Sequence, residues 1–596
     1  MAEKRLSALF IILNLILING AVLGVMNMRY PWIGHDYTLA LPSLLDTAIH
    51  YRLNGLTIQW FTPSFGGGIP AFPNPNNMQF SIPTLLAVVL RPWNATMISV
   101  IIYVSIGFIA CYYFFRRIVQ LYWTASILGS IFFSANGFVI ARMTTGQLGY
   151  ISFTLLALFL IILLDESLPV KISAPLLALL FAMLIHSAGY YILIIFGLSI
   201  LIVFPLLFIY KPDLFNWKRI FSTIAIGGVI GIVISLSKLV ASFSFMRFFP
   251  RFTADNYTSS FPLGIVGIAL ELLGTMNLVP LFLISSINPT GYVLLTRAAL
   301  GTDYGIWELD MSMTPVLFVI LAICIINFLY NPKKYLTTLK SNKEKFAFAL
   351  FLVFVWIAME FTLAKGFIYP ILRHLPILSS LRGNVRFAGT FIFPLALFAA
   401  IVYNNWLKTW SREKLFKLFL LVNILSILPL VSYFLFRDDA FLMIYNVHIP
   451  QSIYDEIRTG QSFEVTSVGT VDGKNTGALL NRTSNLNIYE PVFGFKLENF
   501  HPQVKPGSVW EISDGYYNMT DPTSYVYPEL NHNKPFDRFR VEDKQTLELF
   551  VKHLQPDWKI PTYQRALDWV SGITFLAVVA FMVIQFIGTK RQHSSS

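Results

Sequence analysis

A polytopic helical membrane protein is the fold class this sequence predicts, and three observations predict it. Apolar runs of span length recur along the chain, Lys and Arg gather in alternate connections between them, and one long polar stretch precedes the last run. The 596 residues are 55% hydrophobic and 13% charged, with a mean hydropathy of +0.62. A soluble core of this size has no use for so much apolar surface, whereas a helix needs about 20 apolar residues to cross a bilayer. On this reading the net charge of +12 belongs to basic inner loops rather than to a nucleic-acid interface.

The first run, in MAEKRLSALFIILNLILINGAVLGVM, is longer than a secretory signal core and has no small-x-small cleavage signature, so it reads as an uncleaved first span. Spans are expected near 7–26, 95–115, 122–140, 148–164, 171–187, 190–209, 220–237, 312–330, 346–364, 386–404, 416–436 and 567–588, about twelve in all. With the N-terminus inside, the inner connections are FRRIVQ, DESLPVK, YKPDLFNWKR, NPKKYLTTLKSNKEKF and NNWLKTWSREKLFK, and the tail is TKRQHSSS. Most of these carry the clustered positive charge that fixes orientation. Residues 1–436 then form a transmembrane domain with outer loops at 27–94, 238–311 and 365–385, and 567–596 is a last helix with a cytoplasmic tail. Residues 437–566 read as a small β-rich, mixed α/β domain outside the membrane, because SFEVTSVGTVDG and NLNIYEPVFGF are β-formers broken by Gly, Asn and Pro. Cys111 and Cys324 fall in spans, so no disulfide framework is expected.

The first outer loop holds the most distinctive sequence. It opens on YPWIGHDYTLALP, which sets His35 and Asp36 just past the first span. Leu41, Leu44, Leu45, Ala48 and Ile49 then share one helical face, with Asp46, His50 and Tyr51 elsewhere, so the spacing predicts a helix lying in the membrane interface. IQWFTPSFGGGIPAFPNPNNMQFSIPTLL follows, too rich in Gly, Pro and Asn for regular structure.

This order of elements resembles the first outer loop of GT-C fold glycosyltransferases, membrane enzymes that take sugars from polyprenyl-phosphate donors. It is similar to a bacterial and archaeal subgroup with YfhO-like relatives, in which the loop reads roughly W-N-P, G-x-P, N-P; here FTPSF follows the Trp instead. DYGIWELDMSMTPVLFVILA, LRHLPILSSLRGNVRFAGTFIFPLA and YYNMTDPTSYVYPELNHNKPFDRFR carry the resemblance through the rest of the chain. It implies a GT-C-like transmembrane domain, a lipid-linked sugar donor, an acidic catalytic base in loop one, and a phosphate-binding role for the R-G-N-V-R segment.

Two chemical needs select the candidate residues. An acceptor hydroxyl must lose its proton as it attacks the anomeric carbon, and a carboxylate desolvated at the membrane edge is a suitable base. Asp36 fills that role, with His35 beside it. The leaving phosphate must be held as its charge develops, and a guanidinium fork suits its oxygens. Arg373, His374, Arg382 and Arg386 lie before or at the tenth span, and Arg382 and Arg386 are four apart, as neighbours on one helix face are. Positive charge there runs against the sorting seen elsewhere and calls for a local reason. Arg142, His186 and Lys238 lie toward outer helix ends and are expected to line a cavity open to the outside; Glu308 and Asp310 are candidates for a second carboxylate. No obligatory cofactor is expected, although Asp36 and Glu308 together are possible ligands of a divalent metal.

The function expected is transfer of a sugar from a polyprenyl-phosphate-linked donor to an acceptor outside the cytoplasmic membrane, such as a surface glycan, teichoic acid, lipopolysaccharide or protein, with inversion. A flippase of lipid-linked glycans, or a non-catalytic scaffold of the same architecture, is the alternative, since one fold hosts several functions. Repeated halves with polar groups at mid-membrane, which mark transporters, are not evident in this sequence.

Overall fold

The computed structural model describes residues 2–34, 36–247, 260–277, 289–332, 341–375, 378, 381, 383–407, 412–435, 443–469, 479, 482–486 and 503–594. It is predominantly helical. Among the described residues, nine helical stretches are long and apolar enough to cross a membrane: Glu3–Met26, Pro92–Ile118, Trp123–Thr145, Tyr190–Tyr210, Pro212–Met246, Asn342–Leu363, Asn384–Trp406, Glu413–Phe434 and Thr562–Ile587. Leu148–Leu164, Val170–His186, Phe261–Leu273, Gly291–Leu300 and Pro315–Tyr330 are shorter apolar helices.

Several of these differ from the spans read in the sequence, each for a local reason. The expected span 122–140 is two helices, Trp123–Ser134 and Gly137–Thr145, because Asn136 leaves the helical region and its side chain accepts from Val139 N at 2.9 Å, capping the second. Gly146 ends that helix in the left-handed conformation. The expected span 148–164 begins as a 3-10 turn, Leu148–Leu155, before the α-helix Leu156–Leu164. The expected outer loop 238–311 contains two apolar helices, Phe261–Leu273 and Pro289–Leu300.

The first connection is built into the molecule rather than laid on its surface. Trp32–Gly34 pairs antiparallel with Met443–Asn446, a strand from the far end of the chain. The helix Tyr37–Asn54 is present as expected, yet Asp46, His50 and Tyr51 are as buried as its apolar face. It is not an interfacial helix with a wet side, because His448–Arg458 and the region around His553 cover the face left for water.

Residues 443–561 carry short strands and helices. Ser467–Gly469 lies between Thr483–Asn485, parallel, and Gly507–Ser508, antiparallel; a second sheet orders Arg538–Arg540, Tyr516–Thr520 and Ile512–Ser513. The glycine run of the first connection docks on them. Gly66 N donates to Asn485 O at 2.8 Å, Gly67 N to Ser484 Oγ at 3.0 Å, and Thr520 N to Gly67 O at 2.9 Å. At Gly68, φ is +102° and a Cβ would sit 2.8 Å from Thr520 O, so only glycine permits this approach. The last helix, Thr562–Ser594, packs on Trp217–Met246, where Ser237 Oγ donates to Asp568 Oδ1 at 2.6 Å and Gln564 Nε2 to Ser237 O at 3.1 Å.

Candidate functional site

Asp36 stands in the turn between Trp32–Gly34 and the helix Tyr37–Asn54. Its backbone does the structural work: its carbonyl accepts from Leu39 N and Ala40 N, opening the helix, and its N–H donates to Thr145 O at 2.9 Å. Its carboxylate does not cap its own helix and is half-buried. Tyr37 seals the same contact by donating its hydroxyl to Met143 O. Gly146 is required beneath, since a Cβ there would meet Tyr37 N and the Asp36 carbonyl carbon. The Asp36 backbone is thus seated on the turn 143–147 that ends the helix Gly137–Thr145.

From that turn, hydrogen bonds lead to the arginines. Gln147 Nε2 donates to Glu308 Oε1 at 3.0 Å. Arg386 grips both oxygens of the same carboxylate, Nε to Oε2 at 2.6 Å and Nη2 to Oε1 at 2.5 Å, and its Nη1 donates to Tyr150 Oη at 2.7 Å. Arg142, fully buried, approaches Oε2 at 3.4 Å and lies 4.0 Å over the Phe138 ring. Burial on its own would raise the Glu308 carboxyl; the charge and hydrogen bonds of Arg386, with Arg142 and Gln147 adding to them, more than offset this and push it down to about 2. Asp36, Arg142, Glu308 and Arg386 therefore belong to one neighbourhood, joined through residues 145–147.

The other expected site residues have different stations. Asp310 fastens the loop before Pro315–Tyr330: it accepts from Tyr433 Oη at 2.9 Å, Ser312 N at 2.9 Å and Thr275 N at 3.4 Å, and lies against Gly137. Lys238 holds the first connection, its ammonium donating to the carbonyls of Phe72 at 2.6 Å, Asn74 at 2.7 Å and Asn77 at 3.4 Å. His186 stacks on Phe72 and meets Phe80 edge-on, both on the same segment. Lys238 and His186 thus anchor the Pro- and Asn-rich stretch. Arg373, half-buried, and His374, exposed, follow the short helix Tyr369–Leu372. His35 and Arg382 lie outside the described residues. Arg386 sits in a 3-10 turn, Asn384–Phe391, which starts after Gly383 in the left-handed conformation, so the helical turn that carries Arg386 does not extend back through Gly383.

Residues given little or no part in the expected site prove prominent. Tyr150 and Tyr191 lie at 5.4 and 5.2 Å from the Arg386 guanidinium and shape its surroundings. Asp46 is the hub of a second buried network, accepting from Gln59 Nε2 at 2.7 Å, Thr62 Oγ1 at 2.8 Å, Ser64 Oγ and His553 Nε2 at 3.0 Å. Burial on its own would raise its carboxyl, but His553 and the hydroxyls lower it below the ordinary range. His553 Nε2 faces both Ser64 Oγ, at 2.9 Å, and Asp46, so the three close a ring and no His-relayed nucleophile results.

No group of three or more His, Cys, Asp or Glu side chains among the described residues is arranged to hold a metal. Both Glu308 oxygens are taken by guanidinium N–H groups, so a divalent ion shared with Asp36 would have to displace Arg386. No protein-family model matches this chain, and no curated protein does.

Proposed function

We propose that this protein is a membrane glycosyltransferase that moves a sugar from a polyprenyl-phosphate-linked donor to an acceptor outside the cytoplasmic membrane. The observation that carries the reading is the half-buried Asp36, whose backbone sits on the turn from which Gln147 reaches Glu308, the carboxylate that Arg386 grips. Asp36 takes the proton of the acceptor hydroxyl while that oxygen attacks the anomeric carbon. The bond from the sugar to the phosphate oxygen breaks, the electron pair leaves with the polyprenyl phosphate, and the anomeric centre inverts. Arg386 and Arg142 bring two positive charges against the single Glu308 carboxylate they share, which favours a phosphate dianion nearby. The reading takes the short apolar helices Leu148–Leu164, Val170–His186 and Pro315–Tyr330 as further spans beside the nine long stretches, twelve in all as a GT-C-like domain requires. Asp36 and residues 443–561 then face outward, and the Lys- and Arg-rich connections face the cytoplasm.

The test is sugar transfer by the purified full chain, offered a panel of polyprenyl-phosphate-linked hexoses. Asp36→Asn keeps size and hydrogen bonding while removing the base, and is expected to lower turnover by about 10²- to 10⁴-fold with an unchanged melting temperature. Undiminished turnover overturns the base assignment. The bidentate Arg386–Glu308 pair favours one rival reading, a scaffold in which this cluster only fastens helices. That reading expects no transfer from any donor, and normal biological function from the folded Asp36→Asn protein.

A further inference from the structure

The helix Phe261–Leu273 buries a carboxyl that the proposed chemistry does not use. Glu271 is fully buried, and among the described residues neither of its carboxylate oxygens has a hydrogen-bond partner. Its backbone is fixed against the loop that carries Glu308 and Asp310: Met311 N donates to Glu271 O at 3.1 Å and Met313 N to Leu272 O at 2.9 Å. The charged and titratable groups that face it are Arg142, Glu308, Asp310 and Tyr292. Each has its own partners. Arg142 reaches Glu308 through Nη2, while its Nε has no partner among the described residues. Glu308 is held by Arg386 and Gln147, and Asp310 by Tyr433, Ser312 and Thr275. The Tyr292 hydroxyl donates to Leu270 O at 2.8 Å.

The Arg142 guanidinium beside Glu271 already faces two carboxylates, those of Glu308 and Asp310. A third anion, buried and with no donor, costs far more than the binding of one proton. Burial pushes the carboxyl well above the ordinary carboxylate range; Arg142 opposes this, and the Glu308 and Asp310 charges add to it.

We infer that Glu271 is an internal proton-binding site, a neutral carboxylic acid stored beside the Arg142–Glu308 pair. While the proton is held, Glu308 is the carboxylate that Arg142 bonds. Loss of the proton sets a second anion beside Arg142 and weakens its 3.4 Å contact with Glu308, which helps tie down the helix end beneath Asp36. The site does not depend on the reaction proposed above, and its test does not use that reaction.

Infrared spectra of the full chain in detergent at neutral pH are compared for the wild type and Glu271→Gln. The wild type is expected to show a protonated-carboxyl C=O stretch that Glu271→Gln lacks. Glutamine mimics the neutral acid, so the variant is expected to keep the wild-type melting temperature at about pH 6 and to lose less of it by about pH 9. The sign follows from linkage: an acid that holds its proton more tightly when folded contributes stability at low pH and loses it as pH rises. A carboxyl band left intact by Glu271→Gln, or no such band in the wild type, overturns the inference. So does a melting temperature lowered equally at both pH values, which marks an ionised carboxylate with a cationic partner.

Discussion

Glu308 concentrates the energetics of the candidate site on one side chain. It is the carboxylate that a fully buried Arg142 bonds and the bidentate partner of Arg386, so it cannot be neutralised without stranding charge. Glu308→Gln is expected to cost about 3–5 kcal/mol, the usual penalty for removing one member of a buried pair, read as a fall in melting temperature or in folded yield. Arg386→Lys keeps the charge and loses the fork, and about 2 kcal/mol is expected there. The pH dependence has the opposite sign to that of Glu271. A carboxyl lowered to about 2 on folding contributes stability above its unfolded value of 4.5 and loses it as pH falls from there toward 2. Acid unfolding of the wild type that Glu308→Gln does not share checks this. Arg142, Glu308 and Arg386 are each legible in the sequence as ionisable groups near helix ends. Their pairing is not, because Arg142 and Glu308 are 166 residues apart and no local pattern encodes the contact.

At the scale of elements, two kinds of sequence signal fare differently. Hydropathy finds the long helices because lipid demands continuous apolar length. It passes over the break at Ala135–Asn136, where a hydrogen-bonding cap interrupts an otherwise apolar run, and that break lets Gly137 pack against Asp310 and Ser312. Amphipathic spacing locates Tyr37–Asn54 but misjudges its surroundings, since the groups that cover its polar side come from the far end of the chain. The glycine run of the first connection is legible as irregular structure, while its role as a dock for Asn485 and Thr520 is not. Two substitutions separate these contributions. Gly68→Ala combines a left-handed backbone with a contact against Thr520 O, and about 2–4 kcal/mol of destabilisation is expected. Gly55→Ala meets open space at φ +69°, so only the backbone term of about 1 kcal/mol remains. Melting temperatures of the two variants, measured side by side, check the difference; equal losses would mean the dock contributes nothing beyond backbone strain.

Across the whole molecule, the chain is closed by contacts between residues 1–100 and residues 443–596. Trp32–Gly34 pairs with Met443–Asn446, Arg91 with Asp455, and Asp46 with His553 across 507 residues. Asp46→Ala leaves Gln59, Thr62, Ser64 and His553 without their acceptor, and is expected to open residues 443–561 to limited proteolysis well before the helices unfold. The same closure makes orientation testable, because wherever the first connection lies, residues 443–561 lie with it. The proposed orientation has both outside and YKPDLFNWKR inside. Glu529 and Lys218 are exposed positions on these two parts. With Cys111 and Cys324 replaced by Ala, Glu529→Cys is expected to react with a membrane-impermeant maleimide in intact cells, and Lys218→Cys only after permeabilisation. The reverse pattern would put Asp36 on the cytoplasmic side, away from any acceptor at the cell surface. Labelling of both in intact cells would place the two positions on one side, which an odd number of crossings between them forbids.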